Sequence, residues 1–209
     1  MGVDFVEFDV RRTADGVYVI HHDERTASGR SIRDSGFAEL AWELGGEALT
    51  FDELLDIAGD RVGLQLDLKE PGYEAQLVSM ALRRCAPERL VVTTGDDASI
   101  RLVKETFPQV GAGLTMGDYL TSPRVWLDLA VRMREFFPRR RLERCHADFV
   151  AAHRQLAQFS MLSYCKRANM PAWVWTVDDE PGIARFLADS RVTVLITNRP
   201  DIAMPLRRP

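Results

Sequence analysis

The amino-acid sequence predicts an α/β protein built on a parallel sheet, with the sheet curved into a barrel. Short apolar strands alternate with helical segments along most of the 209 residues, which is typical of strand–helix–strand units. A doubly wound open sheet is expected to carry a Gly-rich phosphate turn after its first strand, and none follows residues 3–10. Charged residues instead recur at the ends of several strands, where barrel enzymes place their chemistry.

The N-terminal segment shows the alternation of a strand most clearly. Glu7 and Asp9 lie on one face of residues 3–10, and Phe8 and Val10 lie on the other. A turn signal at 15–16 leads to a second extended run at 17–20. We assign this run to an irregular, polar excursion that continues through 23–48, outside the main architecture.

From there the sequence predicts helices and strands in alternation. Thr50 is a favourable N-cap and Glu53 stands three residues on, so a short helix is expected through Ala58. Later helices are expected to end at Pro108 and Pro138. The seven main strands are predicted at 3–10, 62–68, 89–93, 110–114, 147–151, 172–177 and 192–196. The helices after the first are predicted at 73–85, 98–107, 124–137, 154–168 and 181–188, and 199–209 is predicted to be a tail.

Composition narrows the class of protein. The chain is 46% hydrophobic, enough for one sizeable core, and we expect residues 1–209 to form a single domain. A net charge of -4 provides no basic field for nucleic acid, and no apolar run reaches the ~18 residues of a membrane span. Three widely spaced cysteines suit a reducing compartment. We therefore expect a cytoplasmic protein with no membrane anchor and no nucleic-acid partner. The sequence carries no indication of an oligomeric state.

The pair Glu7 and Asp9 is the first candidate for chemistry. Carboxylates at positions i and i+2 of a strand point to the same side of the sheet, and inside a barrel they need a cation. An all-oxygen set suits Mg²⁺ or Ca²⁺ better than zinc. The alternative is an edge strand that presents two ordinary acids to solvent.

A second candidate lies on strand 62–68 and just beyond it. Gln65, Asp67 and Lys69 alternate with leucines, so three polar side chains share one face. Asp67 would complete a three-carboxylate metal site, and Lys69 would stand one strand step, roughly 6–7 Å, further toward the mouth. An ammonium group there suits a phosphate oxygen. The alternative is an internal ion pair between Asp67 and Lys69 that binds no ligand.

Two further segments carry side chains suited to a site. His21-His22-Asp23 follows the 17–20 run, and a histidine oriented by Asp23 would exchange a proton near neutral pH. A surface loop is the alternative. Trp173 and Trp175 share one face of a late strand, and Trp175 would wall a substrate pocket unless it is simply a core aromatic.

Taken in order, these segments resemble the glycerophosphodiester phosphodiesterase family. Residues 2–10 resemble its GAD-x-x-E-x-D-V strand, and 13–23 resemble T-x-D-G-x-x-V-x-x-H-D. Four shorter matches follow in the same order, at 49–55, 66–69, 175–178 and 196–201. Each motif is weak alone, and the collinear order of all six is what carries the resemblance.

The resemblance implies a TIM-type (β/α) barrel of the phospholipase-C-like phosphodiesterase kind. It also implies metal-dependent hydrolysis of a glycerophosphodiester to glycerol 3-phosphate and an alcohol, in glycerophospholipid metabolism, with Mg²⁺ or Ca²⁺ as the cation. The implied roles are metal ligands at Glu7, Asp9 and Asp67, a catalytic histidine at His22, and substrate contacts at Lys69 and Trp175. Asp67 departs from the family's glutamate, and Asp178 and Asn198 exchange its asparagine and aspartate.

The family's first strand and helix, with their H-R-G and P-E-N-T motifs, have no counterpart here and would precede Met1. We therefore expect a gap between strands 3–10 and 192–196, and a 209-residue chain that is poorly soluble and impaired in activity by itself. His146 and His153 are substitutes for the missing histidine by residue type only. A non-catalytic metal- or phosphoester-binding remnant is one alternative. A related barrel enzyme, of the sphingomyelinase D-like or phosphoinositide phospholipase C-like kind, is another.

Overall fold

The computed structural model describes residues 2–59, 61–117 and 138–207. Its strands are β1 (Phe5–Arg12), β2 (Tyr18–Ile20), β3 (Gly63–Leu68), β4 (Leu90–Thr94), β5 (Gly111–Met116), β6 (Phe149–His153), β7 (Ala172–Trp175) and β8 (Val194–Leu195). The first helices are α1 (Phe37–Glu43), α2 (Phe51–Ala58), α3 (Glu74–Ala81), α4 (Asp97–Thr106) and α5 (Arg139–Cys145). Then come α6 (Arg154–Leu156), a π-helical turn (Ala157–Met161), α7 (Leu162–Ala168), α8 (Glu180–Ala188) and α9 (Pro200–Leu206).

All eight strands belong to one sheet, in the order β2-β1-β3-β4-β5-β6-β7-β8. The seven strands from β1 and β3 to β8 are parallel, as the sequence predicts. The run at 17–20 is not part of a separate excursion, because β2 pairs antiparallel with the C-terminal half of β1, Val10 opposite Ile20. The reason is local: Gly16 adopts a φ of +84°, which reverses the chain directly beside β1.

Aromatic contacts inside the sheet show that it is curled. Phe5 of β1 lies 5.8 Å from Trp173 of β7, although four strands separate them in the sheet order. Phe149 stacks on the other side of Trp173 at 4.2 Å. The opposite face carries the main core, where the helices pack on the strands. The structure confirms the barrel-like α/β fold.

The curled sheet is open on one side. Among the residues that the structure describes, no β-pairing joins β1 to β8. A groove of about 430 Å³ lies there, lined by residues of both strands and of α9. The expected gap between these two strands is therefore present in the described part of the chain.

Three helices depart from the sequence prediction. The segment 23–48 is not irregular throughout: α1 forms within it and packs through Leu40 on Val19 and Ile32. Its N-cap Gly36 provides no side-chain cap, so the sequence holds no start signal.

The predicted tail contains α9, which Pro200 begins even though Pro205 lies inside it. The third, α5, begins directly after Pro138, where the sequence predicts the end of a helix.

The remaining helices lie where the sequence predicts them in the described residues, although α3 ends at Ala81 and a π-helical turn interrupts the helix predicted at 154–168. The helix α2 begins with the expected capping box, in which Thr50 N donates to Glu53 Oε2 at 2.9 Å and Glu53 N donates to Thr50 Oγ1 at 3.3 Å. The helix predicted at 124–137 lies outside the described residues. Within the described ranges, no helix has the length and apolar character to cross a membrane.

The tight interior generates a stability prediction. A Cβ atom on Gly113 would overlap the ring of Phe149, so we expect Gly113→Ala to destabilise the fold by about 1–3 kcal/mol. The control is Gly111→Ala in the same strand, whose Cβ would meet Val91 Cγ1 at 3.0 Å and needs only a small adjustment. Urea denaturation measures both variants. An unchanged midpoint for Gly113→Ala would contradict the proposed packing.

Candidate active site

The pairing of β1 with β3 brings three carboxylates together. These parallel strands are in a register that places Glu7 opposite Gln65 and Asp9 opposite Asp67. One carboxylate oxygen from each of Glu7, Asp9 and Asp67 lies within 4.8 Å of the others. The convergence expected from the alternation of the two strands is therefore found, on the face of the sheet that lines the barrel interior.

Lys69 and Thr93 hold two of these carboxylates in place. Lys69 Nζ lies 2.8 Å from Asp9 Oδ1 and 2.6 Å from Asp67 Oδ2. Thr93 Oγ1, from the next strand, donates to Asp67 Oδ1 at 2.8 Å, so both oxygens of Asp67 have partners. The ion pair that the sequence left as an alternative is thus formed, and Asp9 shares it.

The charges in this cluster do not balance without a further cation. Glu7 is exposed at the groove beside β1, yet neighbouring protein atoms still partly desolvate its carboxylate. That desolvation, followed by the charges of Asp9 and Asp67, raises the pKa of Glu7 to about 8. Desolvation acts to lower the pKa of Lys69, but the charge of Asp67 and hydrogen bonds to both aspartates outweigh it and raise that pKa. One ammonium group thus faces three carboxyl groups.

The donor set fits a hard divalent cation. Carboxylate oxygens are the ligands that Mg²⁺ and Ca²⁺ prefer, and the cluster carries more negative than positive charge once Glu7 is ionised. Glu7, Asp9 and Asp67 would hold such an ion. The structure thus assembles a site of the right chemistry from the three residues that the sequence selected.

The loop after β2 carries His22. The His21 amide donates to the Asp9 carbonyl oxygen at 3.0 Å, which fixes the loop to the strand that carries the acids. His22 Nδ1 lies 2.8 Å from Asp23 Oδ1, and that hydrogen bond lowers the pKa of the Asp23 carboxyl. The imidazole is 74% exposed. Asp23 therefore orients His22 as the sequence suggests, in a loop that is exposed yet anchored.

Trp175 and His153 stand together at the ends of β7 and β6. Trp175 is half-buried, and its Nε1 donates to the Ala151 carbonyl oxygen at 2.9 Å, so a substrate would meet the indole ring rather than its N–H group. His153 ends β6 and contacts Trp175 edge-on at 5.1 Å. Burial and the nearby Arg154 lower the pKa of His153. His146 lies elsewhere, in an exposed left-handed position after α5.

Sequence reasoning missed several residues that support the site. Thr93 comes from an apolar strand in which nothing marks its hydroxyl as a partner of Asp67. Arg11 donates to the His22 carbonyl oxygen, and the only signal for it is that it continues the alternation of Glu7 and Asp9. The exchange at Asp178 preserves a contact, since Asp178 Oδ2 accepts from Asn198 Nδ2 at 3.1 Å.

Comparisons with known proteins agree with this architecture. The sequence model of the Glycerophosphoryl diester phosphodiesterase family matches residues 1–44. A glycerophosphodiester phosphodiesterase of Caldanaerobacter subterraneus subsp. tengcongensis is 25% identical over 228 residues, covering 100% of this chain and 87% of that protein.

Solved structures show the same fold. A putative glycerophosphoryl diester phosphodiesterase of Agrobacterium tumefaciens superposes with a TM-score of 0.79 at 20% identity, covering 99% of this chain and 86% of that one. A phosphodiesterase of Oleispira antarctica, solved in complex with the product sn-glycerol-3-phosphate, gives a TM-score of 0.75 at 20% identity, with 98% and 85% covered.

The raised pKa of Glu7 predicts how ion binding depends on pH. Below about pH 8 a divalent ion must displace the proton on Glu7, so affinity should rise with pH and level off once Glu7 is ionised. Isothermal titration calorimetry with Ca²⁺ and Mg²⁺ measures this. We expect Asp67→Asn to abolish binding and Thr93→Val to weaken it about 10–100-fold. The exposed Glu88→Gln serves as the control. An affinity that does not change between about pH 6 and pH 9 would contradict the assignment.

Proposed function

We propose that this chain is a member of the glycerophosphodiester phosphodiesterase family and hydrolyses glycerophosphodiesters to glycerol 3-phosphate and an alcohol. The observation that carries the proposal is the convergence of Glu7, Asp9 and Asp67 beside Lys69, with the anchored His22 loop next to them. The bound sn-glycerol-3-phosphate in the Oleispira antarctica phosphodiesterase supports this class of substrate. We place the reaction in the cytoplasm, within glycerophospholipid metabolism.

The three carboxylates and Lys69 would form the half of the site that binds phosphate. Glu7, Asp9 and Asp67 would hold one divalent cation, Mg²⁺ or Ca²⁺, which when bound would neutralise charge on the phosphodiester. Lys69 already lies against Asp9 and Asp67, and its ammonium group would turn toward a phosphate oxygen when substrate arrives. This arrangement would stabilise the negative charge that develops on the phosphate group during cleavage.

His22 would supply the proton transfer on the other side of the phosphodiester. With Nδ1 held by Asp23, Nε2 is the nitrogen presented to solvent. It would accept the proton of the attacking nucleophile or donate one to the departing alcohol. Trp175 would pack its ring against the substrate, because its N–H group is already bonded to Ala151.

One observation favours a second candidate, a non-catalytic member of the same fold. Lys69 forms ion pairs with both Asp9 and Asp67, so these two side chains are held together without an added ion. A remnant of this kind would bind a phosphoester weakly and turn nothing over. The two candidates differ in whether the chain hydrolyses the diester at all.

Substitution of His22 tests the catalytic proposal. We expect His22→Ala to lower kcat for glycerophosphocholine or glycerophosphoethanolamine about 10²–10⁴-fold, because the acid–base group is lost, and to leave Ca²⁺ binding unchanged. Its neighbour provides the control: the His21 imidazole contacts only the Asp23 carbonyl oxygen among the hydrogen bonds described, so His21→Ala should retain most activity. Lys69→Met should raise KM and lower kcat together.

Each variant is compared with its own parent, assayed under the same conditions. A kcat for His22→Ala within a few-fold of the parent would exclude His22 as acid or base. Turnover that is unaffected by Lys69→Met would exclude the proposed contact with phosphate.

A further inference from the structure

The guanidinium group of Arg11 is bonded to the main chain of the histidine loop. Its Nε and Nη2 donate to the His22 carbonyl oxygen at 3.0 and 2.8 Å, and its Nη1 donates to Glu70 Oε1 at 3.1 Å. The Arg11 side chain is only 7% exposed. A charge buried to this extent is tolerated only when it is paired and hydrogen-bonded, so these two partners account for its position.

Glu70 extends the connection to the end of β3, directly after Lys69. The Glu70 amide donates to Tyr73 Oη at 3.2 Å, and Tyr73 Oη donates to the Val10 carbonyl oxygen at 2.7 Å. Tyr73 is fully buried, so this arrangement has little freedom to shift. A closed network therefore joins the ends of β1 and β3 to the loop that carries the histidine.

We propose that Arg11 is a positioning residue that holds His22 in place for proton transfer, with Glu70 fixing Arg11 in turn. This inference rests on the proposed function and adds to it. Arg11 bonds to the main-chain carbonyl oxygen of His22. The His22 imidazole therefore stays available for its hydrogen bond to Asp23 and for contact with the substrate. Two N–H groups of one planar guanidinium on a single oxygen also define the direction of approach, which a lysine ammonium does not.

The size of the expected effect follows from geometry. A displacement of about 1 Å in a catalytic group can cost roughly 10²-fold in rate. We therefore expect Arg11→Met, which keeps the length of the side chain but removes its donors, to lower kcat about 10²-fold with KM nearly unchanged. Arg11→Lys should lower kcat by a smaller factor. The control is Arg12→Met: Arg12 is exposed and lies over the Tyr73 ring at 5.7 Å, away from the His22 carbonyl.

A double variant separates positioning from general support of the fold. If Arg11 acts through His22, adding Arg11→Met to His22→Ala should cause no further loss of kcat. Glu70→Gln is a milder variant in case Arg11→Met fails to fold. It keeps an oxygen that can accept from Arg11 but removes the charge, so we expect a smaller loss of kcat. An Arg11→Met effect that is equally large in the His22→Ala background would overturn the proposal.

Hydrogen exchange tests the inference without substrate. The His21 amide is bonded to the Asp9 carbonyl oxygen, so its exchange rate reports how firmly the loop is held. We expect exchange at least about tenfold faster in Arg11→Met, with the amide of Val92 in β4 unchanged. Unchanged protection of His21 would overturn the proposal. If the parent chain does not hydrolyse the diester, the proposed function is wrong. The hydrogen-exchange result would still decide whether Arg11 holds the loop.

Discussion

Three carboxylates that converge in a barrel mouth must be neutralised, and this constraint organises the site. Asp9 and Asp67 face one another because β1 and β3 pair in parallel and in register. Glu7, two residues earlier, adds a third acid on the same face. Lys69 lies between the two aspartates and offsets part of their charge. Thr93 donates a hydrogen bond to the remaining oxygen of Asp67. Desolvation, followed by the charges of Asp9 and Asp67, raises the pKa of Glu7 to about 8, and the charge of Lys69 offsets this only in part.

The acids and Lys69 lie on the inner face of the curled sheet. Its lower interior is filled by aromatic rings, with Trp173 packed between Phe5 and Phe149. Gly63 and Gly113 make room for these rings, since a Cβ at either position would collide with one of them. Because the lower interior is packed, polar side chains on the same faces are left to the C-terminal ends of the strands.

Much of this arrangement is encoded locally and is therefore readable from sequence. Alternation along strands 3–10 and 62–68 identifies Glu7, Asp9 and Asp67, since a strand's period of two decides which face a side chain occupies. The capping pair at Thr50 likewise marks the start of α2. The collinear motifs then indicate which chemistry these residues belong to.

The remainder depends on contacts that no local pattern contains. The bond from Thr93 to Asp67 exists only once β3 and β4 are paired. The hydrogen bond from Arg11 to the His22 carbonyl oxygen depends on the hairpin that folds β2 back along β1. The sequence predicts a tail where α9 forms, yet this helix lies against the open groove, and Arg207 just beyond it pairs with Asp4 at 2.7 Å. Such tertiary partners override weak local signals.

The most direct test of the metal-centred account is a crystal structure of the protein grown with Ca²⁺ and examined by anomalous diffraction. The account predicts one ion bound by oxygens of Glu7, Asp9 and Asp67, at distances of about 2.3–2.6 Å, with Lys69 Nζ moved out from between the two aspartates. Lys69 still bridging Asp9 and Asp67, with no anomalous signal near Glu7 at saturating Ca²⁺, would contradict it.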